Sequence, residues 1–314
     1  MSFHDLHRGD RPLVLPNAWD FASGAALAEA GFPAVGTTSL GVAAAAGKTD
    51  ATGGTREETL ALARVLSRLP VPVTVDIEGG FSARVADVAD LVAELASFGI
   101  AGVNLEDGRR DGTLAPIDHQ VTVISEVKRA APQVFLNART DTFWLGDPDR
   151  DETLRRARAF AAAGADGVFV PGIVDDADIR AVLEVADVPL NVLFMPGRTE
   201  YARMERLGVH RLSTGSLLFR KALQATVASA LGVTGDNGDG RPAPSYGDVQ
   251  RLVQRLPRPL SGRRRRRGGT RSTGRGPPSS RRRRPARPVL RAGGACRAAG
   301  RSPPTPGSPC RSRR

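Results

Sequence analysis

Eight short apolar runs recur along the chain, each followed by an amphipathic stretch, and this alternation limits the fold more than any other feature. The runs are PLVLP (Pro12 to Pro16), AVGTTS (Ala34 to Ser39), VTVDI (Val73 to Ile77) and GVNLE (Gly102 to Glu106), then VFLNAR (Val134 to Arg139), GVFV (Gly167 to Val170), LNVL (Leu190 to Leu193) and RLST (Arg211 to Thr214). Short β-branched runs that end abruptly in charge or glycine predict strands of a parallel sheet buried on both faces. Stretches rich in Ala, Leu, Arg and Glu, such as Thr55 to Leu69, Arg84 to Phe98 and Asp149 to Ala163, predict the intervening helices. Gly31, Gly99, Gly164 and Gly208 follow such stretches, where helices stop. Eight strand–helix units in about 230 residues predict a (β/α)8 barrel of α/β class. An open doubly wound sheet is the alternative, because alternation alone does not show closure. No G-x-G-x-x-G follows the first strand and no Walker A motif is present, so nucleotide binding has no support.

Composition divides the chain in two. The net charge of +12 and pI near 11.1 suggest a nucleic-acid binder. Yet 19 of the 45 basic residues lie between Arg258 and Arg314, a segment without Asp, Glu or Lys. The remainder carries 26 basic and 33 acidic residues, an ordinary soluble balance. The expected organisation is therefore a catalytic barrel over 1–257 and a disordered Arg/Pro/Gly-rich tail over 258–314. Such a tail binds nucleic acid non-specifically at low salt. Its composition is also what a GC-rich coding region gives when read out of frame, and that reading is preferred to a selected polyanion-binding arm. Both cysteines, Cys296 and Cys310, lie in the tail, so the body holds no thiol nucleophile and no Cys-ligated zinc. No apolar run is long enough to span a bilayer, and MSFHDLHRGDR lacks the apolar stretch of a signal peptide. No membrane association and a cytoplasmic location are expected.

In a barrel the chemistry sits where strands end. Asp76 and Glu78 close VTVDIE, Glu106 closes GVNLE, and Asp50 follows a Gly/Ala-rich loop with Lys48. Carboxylates converging at one mouth of a sheet suit a hard divalent cation. The second strand ends in Thr37, Thr38 and Ser39, which suit an anionic group or, equally, a hydroxyl-rich helix or loop start. The first strand leads to Asn17 and Trp19, candidates to line a pocket, and to Asp20, a helix N-cap. The fifth ends in Asn137, Ala138, Arg139, Thr140 and Asp141. Arg139 suits bidentate recognition of a carboxylate or phosphonate, or an ion pair with Asp76 or Glu106. His4, His7, His119 and His210 read as surface or structural, since none sits at the C-terminal end of a predicted strand.

The run PNAWDFASGAALAEAGFPAVGTTSLGVAAAAGKTD resembles the start of the isocitrate lyase and phosphoenolpyruvate mutase superfamily. VTVDIEGGF, GVNLEDG, NARTD, PLNVLFMPG and RLSTGSLLFRKAL follow in that family's order, from about Pro12 to Leu256. The resemblance implies a modified (β/α)8 barrel with a Mg²⁺ site, Mn²⁺ being possible. It implies Asp76, Glu78 and Glu106 as metal acids, some acting through water. Asp50 is implied beside the reacting centre, and Arg139 as the substrate-anion residue. Thr37, Thr38 and Ser39 form its anion cradle, with Asn17, Trp19, Asn137 and Asn191 in the substrate site. It also implies a homo-oligomer, a dimer of dimers whose protomers exchange a last helix near Ser216 to Leu231. Departures narrow the chemistry. The family's thiol lyases carry a KKCGH loop; here the stretch after Glu106 is DGRRDGTLAP. The mutases carry Asp where this chain has Glu78, and a Lys/Asn-rich gating loop that Arg109, Arg110 and Asp111 do not match. The expected function is Mg²⁺-dependent cleavage of a small 2-oxo acid, as in an oxaloacetate decarboxylase, with the segment Gly108 to Pro116 closing over the site. The alternatives are phosphorus–carbon chemistry on phosphoenolpyruvate or phosphonopyruvate, and an inactive barrel with a polyanion-binding tail.

Overall fold

The computed structural model describes residues 2–146, 148–235 and 242–255, so the predicted tail lies outside the described residues. Strands β1 (Leu13–Leu15), β2 (Asn17–Ala18), β3 (Val35–Thr37), β4 (Val73–Asp76) and β5 (Gly102–Glu106) are followed by β6 (Phe135–Arg139), β7 (Gly167–Val170), β8 (Leu190–Leu193) and β9 (Arg211–Ser213). All pairings between them are parallel. Every predicted strand is present. The first is split, because Pro16 has no N–H for the ladder. That split closes the barrel. β1 pairs with β9, Leu13 opposite Arg211, while β2 pairs with β3 on its other side, Asn17 opposite Gly36. One continuous segment thus bonds to both ends of the sheet, and the open-sheet alternative falls.

The helices are α1 (Phe21–Glu29), α2 (Ser39–Ala45), α3 (Arg56–Leu66), α4 (Val85–Ser97) and α5 (Ile117–Ala130), then α6 (Arg150–Ala162), α7 (Asp176–Ala186), α8 (Tyr201–Leu207), α9 (Leu217–Val233) and α10 (Tyr246–Arg255). Local chemistry sets several starts. Asp20 and Ser23 form a reciprocal capping box on α1, and Asp149 accepts from the Glu152 amide on α6. Two helices depart from the sequence reading. The Gly/Ala-rich stretch before Lys48, expected as a loop, is α2. Its alanines favour helix, and its Leu40, Val42 and Ala43 are buried. Helix α10 follows α9, in a stretch where no element is expected from the sequence.

Alternation along the strands sorts the side chains. Val73, Val75, Val103, Leu105, Leu136 and Ala138 point outward to pack on α3 to α5, and Val168, Val170, Leu190, Val192 and Leu212 pack on α7 and α8. The intervening residues fill the barrel. At its N-terminal end Phe3, Leu13, Leu15 and Phe135 make an apolar plug. His7 belongs to this plug: it stacks on Phe135 with centroids 4.1 Å apart and bonds the Phe3 carbonyl at 2.9 Å. Above lies a buried polar layer of Thr74, Asn104, Asn137, Asn191 and Arg211. At the C-terminal end the charged residues emerge. Among the described residues no helix is long and apolar enough to cross a membrane.

Candidate active site

The C-terminal mouth of the barrel holds a cavity of about 150 Å³. That volume suits a small carboxylate rather than a nucleotide. Its wall is made by Asp76 at the end of β4, Glu106 at the end of β5 and Arg139 at the end of β6. Asp50, Asp141 and Tyr246 join from the surrounding segments. Register explains the convergence: Glu106 stands directly opposite Arg139, and Asp76 opposite Asn104 two residues below Glu106 on the same face.

Arg139 is the hub. Its Nη1 meets Glu106 Oε2 at 2.8 Å and its Nε meets Asp141 Oδ1 at 2.6 Å. Burial alone would lower its pKa; Asp141, Glu106 and Asp76 outweigh that and raise it, so the guanidinium stays charged. The carboxylates shift the other way. Burial raises Asp50, Asp76 and Glu78, and lifts Glu106 well above the carboxylate range. The Arg139 charge opposes this at Asp76 and Glu106, while neighbouring acids add to it. A second ion pair braces the wall: Arg156 on α6 donates to Asp107 Oδ2 at 2.9 Å, and Asp107 Oδ1 accepts the Asp141 amide at 2.9 Å.

The sequence candidates separate into two sets. Asn17, Thr38, Ser39, Asp50, Asp76, Glu106 and Arg139 line the cavity together. Thr37, Trp19, Asn137, Asn191 and Glu78 do not line it. Thr37 Oγ1 accepts the Asp76 amide at 2.9 Å, so it positions that acid instead. Trp19 packs edge-on to Phe219 with centroids 5.3 Å apart. Asn137 bonds Asn104, and Asn191 accepts from Ser213, both in the polar layer beneath. Glu78 lies beyond the strand with φ of 50°, a left-handed backbone, and its amide donates to Asp76 Oδ1 at 3.2 Å. Its carboxylate accepts from Thr55 Oγ1 at 2.7 Å and from the Gly53 amide at 3.0 Å, holding the segment after Asp50. Residues 108–116 form a small hairpin, with Gly108 bridging Leu114 and with Gly108 and Arg109 at the cavity rim.

Sequence reasoning missed several contributors. Asp107 and Arg156 give no local signal as a pair 49 positions apart. Arg211, the charged residue that opens the run RLST and is fully buried in β9, was a signal that the sequence did offer. Burial lowers it to about 9; it bonds Asn104 and Ser213, both of which line the cavity floor. Tyr246 reaches the cavity from the far end of the body.

The donor set fits a hard divalent cation. Asp50, Asp76, Glu106 and Asp141 supply four carboxylates around the cavity, against Arg139 within it and Arg109 at its rim. Only oxygen donors are offered. Among the described residues no three of the acids converge into a ready cage.

Known proteins share this architecture. The phosphoenolpyruvate phosphomutase family model matches residues 3–234. An uncharacterized protein of Mycobacterium tuberculosis (strain ATCC 25618 / H37Rv) is 41% identical over 255 residues, covering 81% of this chain and 96% of its own length. The 2-methylisocitrate lyase of Bacillus subtilis (strain 168) is 30% identical over 236 residues, covering 71% of this chain and 77% of its own. A crystal structure of a candidate phosphonomutase from Burkholderia cenocepacia J2315 superposes with a TM-score of 0.69 at 38% identity, covering 73% of this chain and 97% of that one. With its closed barrel and its ordered motifs, the chain belongs to the phosphoenolpyruvate mutase family of the isocitrate lyase and phosphoenolpyruvate mutase superfamily of lyases and mutases.

Proposed function

We propose that the protein is a Mg²⁺-dependent lyase that cleaves a carbon–carbon bond in a small 2-oxo acid or related carboxylate, oxaloacetate being the simplest substrate. The observation that carries this is the surplus of buried carboxylates around one tethered arginine in a cavity of small-acid size. Asp76 and Glu106 would hold the cation, with Glu78 behind them fixing the loop. When bound, a divalent cation there supplies Lewis-acid stabilisation to an enolate oxygen.

The chain's own residues do the rest. Arg139 keeps Asp141 on Nε and Glu106 on Nη1, and its remaining Nη2 is the prong that would meet a substrate carboxylate. Thr38 and Ser39, at the start of α2, line the other side. As the C3–C4 bond of oxaloacetate breaks, CO2 leaves and the bonding pair enters the enolate, which must gain a proton at C3. Asp50 is the group placed to handle that proton. Its Oδ1 is buried without a hydrogen-bond partner among the described residues, and burial raises its pKa toward the neutral form. No cysteine occurs before Cys296, so the barrel's chemistry runs without a thiol.

The test is a screen of oxaloacetate, methylisocitrate, phosphonopyruvate and phosphoenolpyruvate with Mg²⁺. It follows pyruvate release and, for phosphoenolpyruvate, phosphonopyruvate formation. Turnover that survives exhaustive chelation would remove the enolate mechanism. Arg139→Lys should lower kcat/KM by about 100-fold or more, because a point charge does not replace a two-pronged donor. A second reading has one observation behind it: Arg109 at the cavity rim suits a phosphonate dianion, which favours phosphorus–carbon chemistry. The screen separates the two. Assembly through α9 is also proposed. Of its 17 residues only Phe219 is buried, leaving Val227 and Val233 exposed. That unpaired apolar surface supports helix exchange between protomers.

A further inference from the structure

Asp50 sits on a segment with little regular structure, yet it is held at four points, and three of them come from α10. The Tyr246 hydroxyl donates to Asp50 Oδ2 at 2.7 Å. Gln250, one turn further on, clasps the same residue's backbone from both sides. Its Oε1 accepts the Asp50 amide at 3.1 Å and its Nε2 donates to the Asp50 carbonyl at 3.3 Å. The fourth point is Ser39 Oγ, at a weak 3.4 Å from Oδ2. The next residue, Ala51, has φ of 57°, a left-handed conformation that a non-glycine residue keeps only when its surroundings hold it.

Helix α10 is itself anchored. Ser245 and Asp248 form a reciprocal cap: the Asp248 amide donates to Ser245 Oγ at 3.1 Å, and the Ser245 amide to Asp248 Oδ2 at 2.9 Å. Val249 is buried against Leu40 and Phe219. Arg220 Nη1 donates to the Pro244 carbonyl at 3.0 Å. The exposed Trp144 ring meets Tyr246 edge-on, with centroids 6.1 Å apart, and both line the cavity. With both backbone groups and one carboxylate oxygen of Asp50 engaged, only Oδ1 is left without a partner.

We propose that Tyr246 and Gln250 are positioning residues for Asp50, so that the active site is complete only when the C-terminal helix is docked. The hydroxyl occupies Oδ2 and leaves Oδ1 to act; the amide pair fixes the backbone so that Oδ1 keeps its place. This rests on the reading of Asp50 as the proton-handling group, but its structural half stands apart from any substrate.

The experiment uses the full chain and two readouts. The first is hydrogen exchange of the peptide covering residues 48–55, without substrate. Tyr246→Phe and Gln250→Leu should each speed that exchange by about tenfold or more, while the barrel strands keep their protection. The second is steady-state kinetics on whichever acid the wild type turns over. Tyr246→Phe should lower kcat by about tenfold or more with KM changed little, as expected for a misplaced proton carrier. Val249→Asp removes the apolar anchor of α10 and should release the same loop. Unchanged exchange in residues 48–55 when residues 246–255 are seen to undock would overturn the proposal, as would an unchanged kcat in Tyr246→Phe. If the wild type turns over none of the screened acids, the substrate reading fails, and the exchange measurement still decides this one.

Discussion

Single residues carry opposite debts to pH. His7 is buried in the N-terminal plug, and burial takes its pKa from 6.5 to about 3. The folded state therefore holds His7 neutral where the unfolded chain would protonate it. Its contribution to stability is complete above pH 6.5 and is lost as pH falls toward 3, at up to roughly 1.4 kcal/mol per pH unit. Urea midpoints measured between pH 7 and 4 should fall, and His7→Phe should flatten that slope. Glu106 has the reverse sign. Its folded pKa lies well above 4.5, so the stability it contributes in the protonated form is lost as pH rises from 4.5 through the folded value. Glu106→Gln is expected to raise the melting temperature at pH 7.5 without added cation. On the proposed reading millimolar Mg²⁺ should raise the wild-type melting temperature and leave that of the variant unchanged; a Mg²⁺-induced rise that persists in the variant would show the ion bound elsewhere. Asp76, Glu106 and Arg139 were legible in the sequence because each ends an apolar run. That Glu78 stands outside the cavity was not legible, because its backbone takes a left-handed φ that no residue pattern announces.

Elements hold the site through pairs that cross the fold. α6 reaches the end of β5 through Arg156 and Asp107, both buried, and from there the Asp141 amide and then Arg139. Breaking one side strands a buried charge. Arg156→Ala should cost about 3–5 kcal/mol in chemical denaturation, and adding Asp107→Ala should recover part of it. Strict additivity of the two losses would mean that the pair does not act as a unit. Gly108 serves the same wall: a Cβ there would overlap Asp141 Oδ2, so only glycine lets the hairpin lie so close. The strands and the main helices were legible from apolar runs and capping residues. α2 was not, because alanine and glycine carry no amphipathic pattern. The amphipathic pattern of α10 was readable, but its place was not, because its partners Asp50 and Leu40 lie about 200 positions earlier and are chosen by tertiary docking.

At the scale of the whole molecule, the described residues form a closed barrel with the candidate site at one mouth, and the basic C-terminal segment lies outside them. A chain ending at Leu256 should keep the cooperative melt, the Mg²⁺ response and any turnover. Its excess of 33 acidic over 26 basic residues should also abolish retention on heparin, where the full chain binds at low salt. Loss of the cooperative melt in that shortened chain would make the tail part of the fold. The barrel class was legible because eight runs alternate with helices. Closure was not, because it depends on which neighbour β1 takes.

That neighbour has a consequence for synthesis. Leu13 bonds across to Arg211, so the first strand made must wait for the last one. At about 5–20 residues per second the ribosome needs roughly 10–40 s to deliver it. Throughout that interval the nascent chain carries an unpaired parallel edge at Leu13–Leu15 and a hollow with no lid of backbone over it. Growth on the ribosome, rather than equilibrium stability, is then the stage at which this protein is most exposed to aggregation. A chaperone that shields the first forty residues would matter more here than one that acts on the finished barrel.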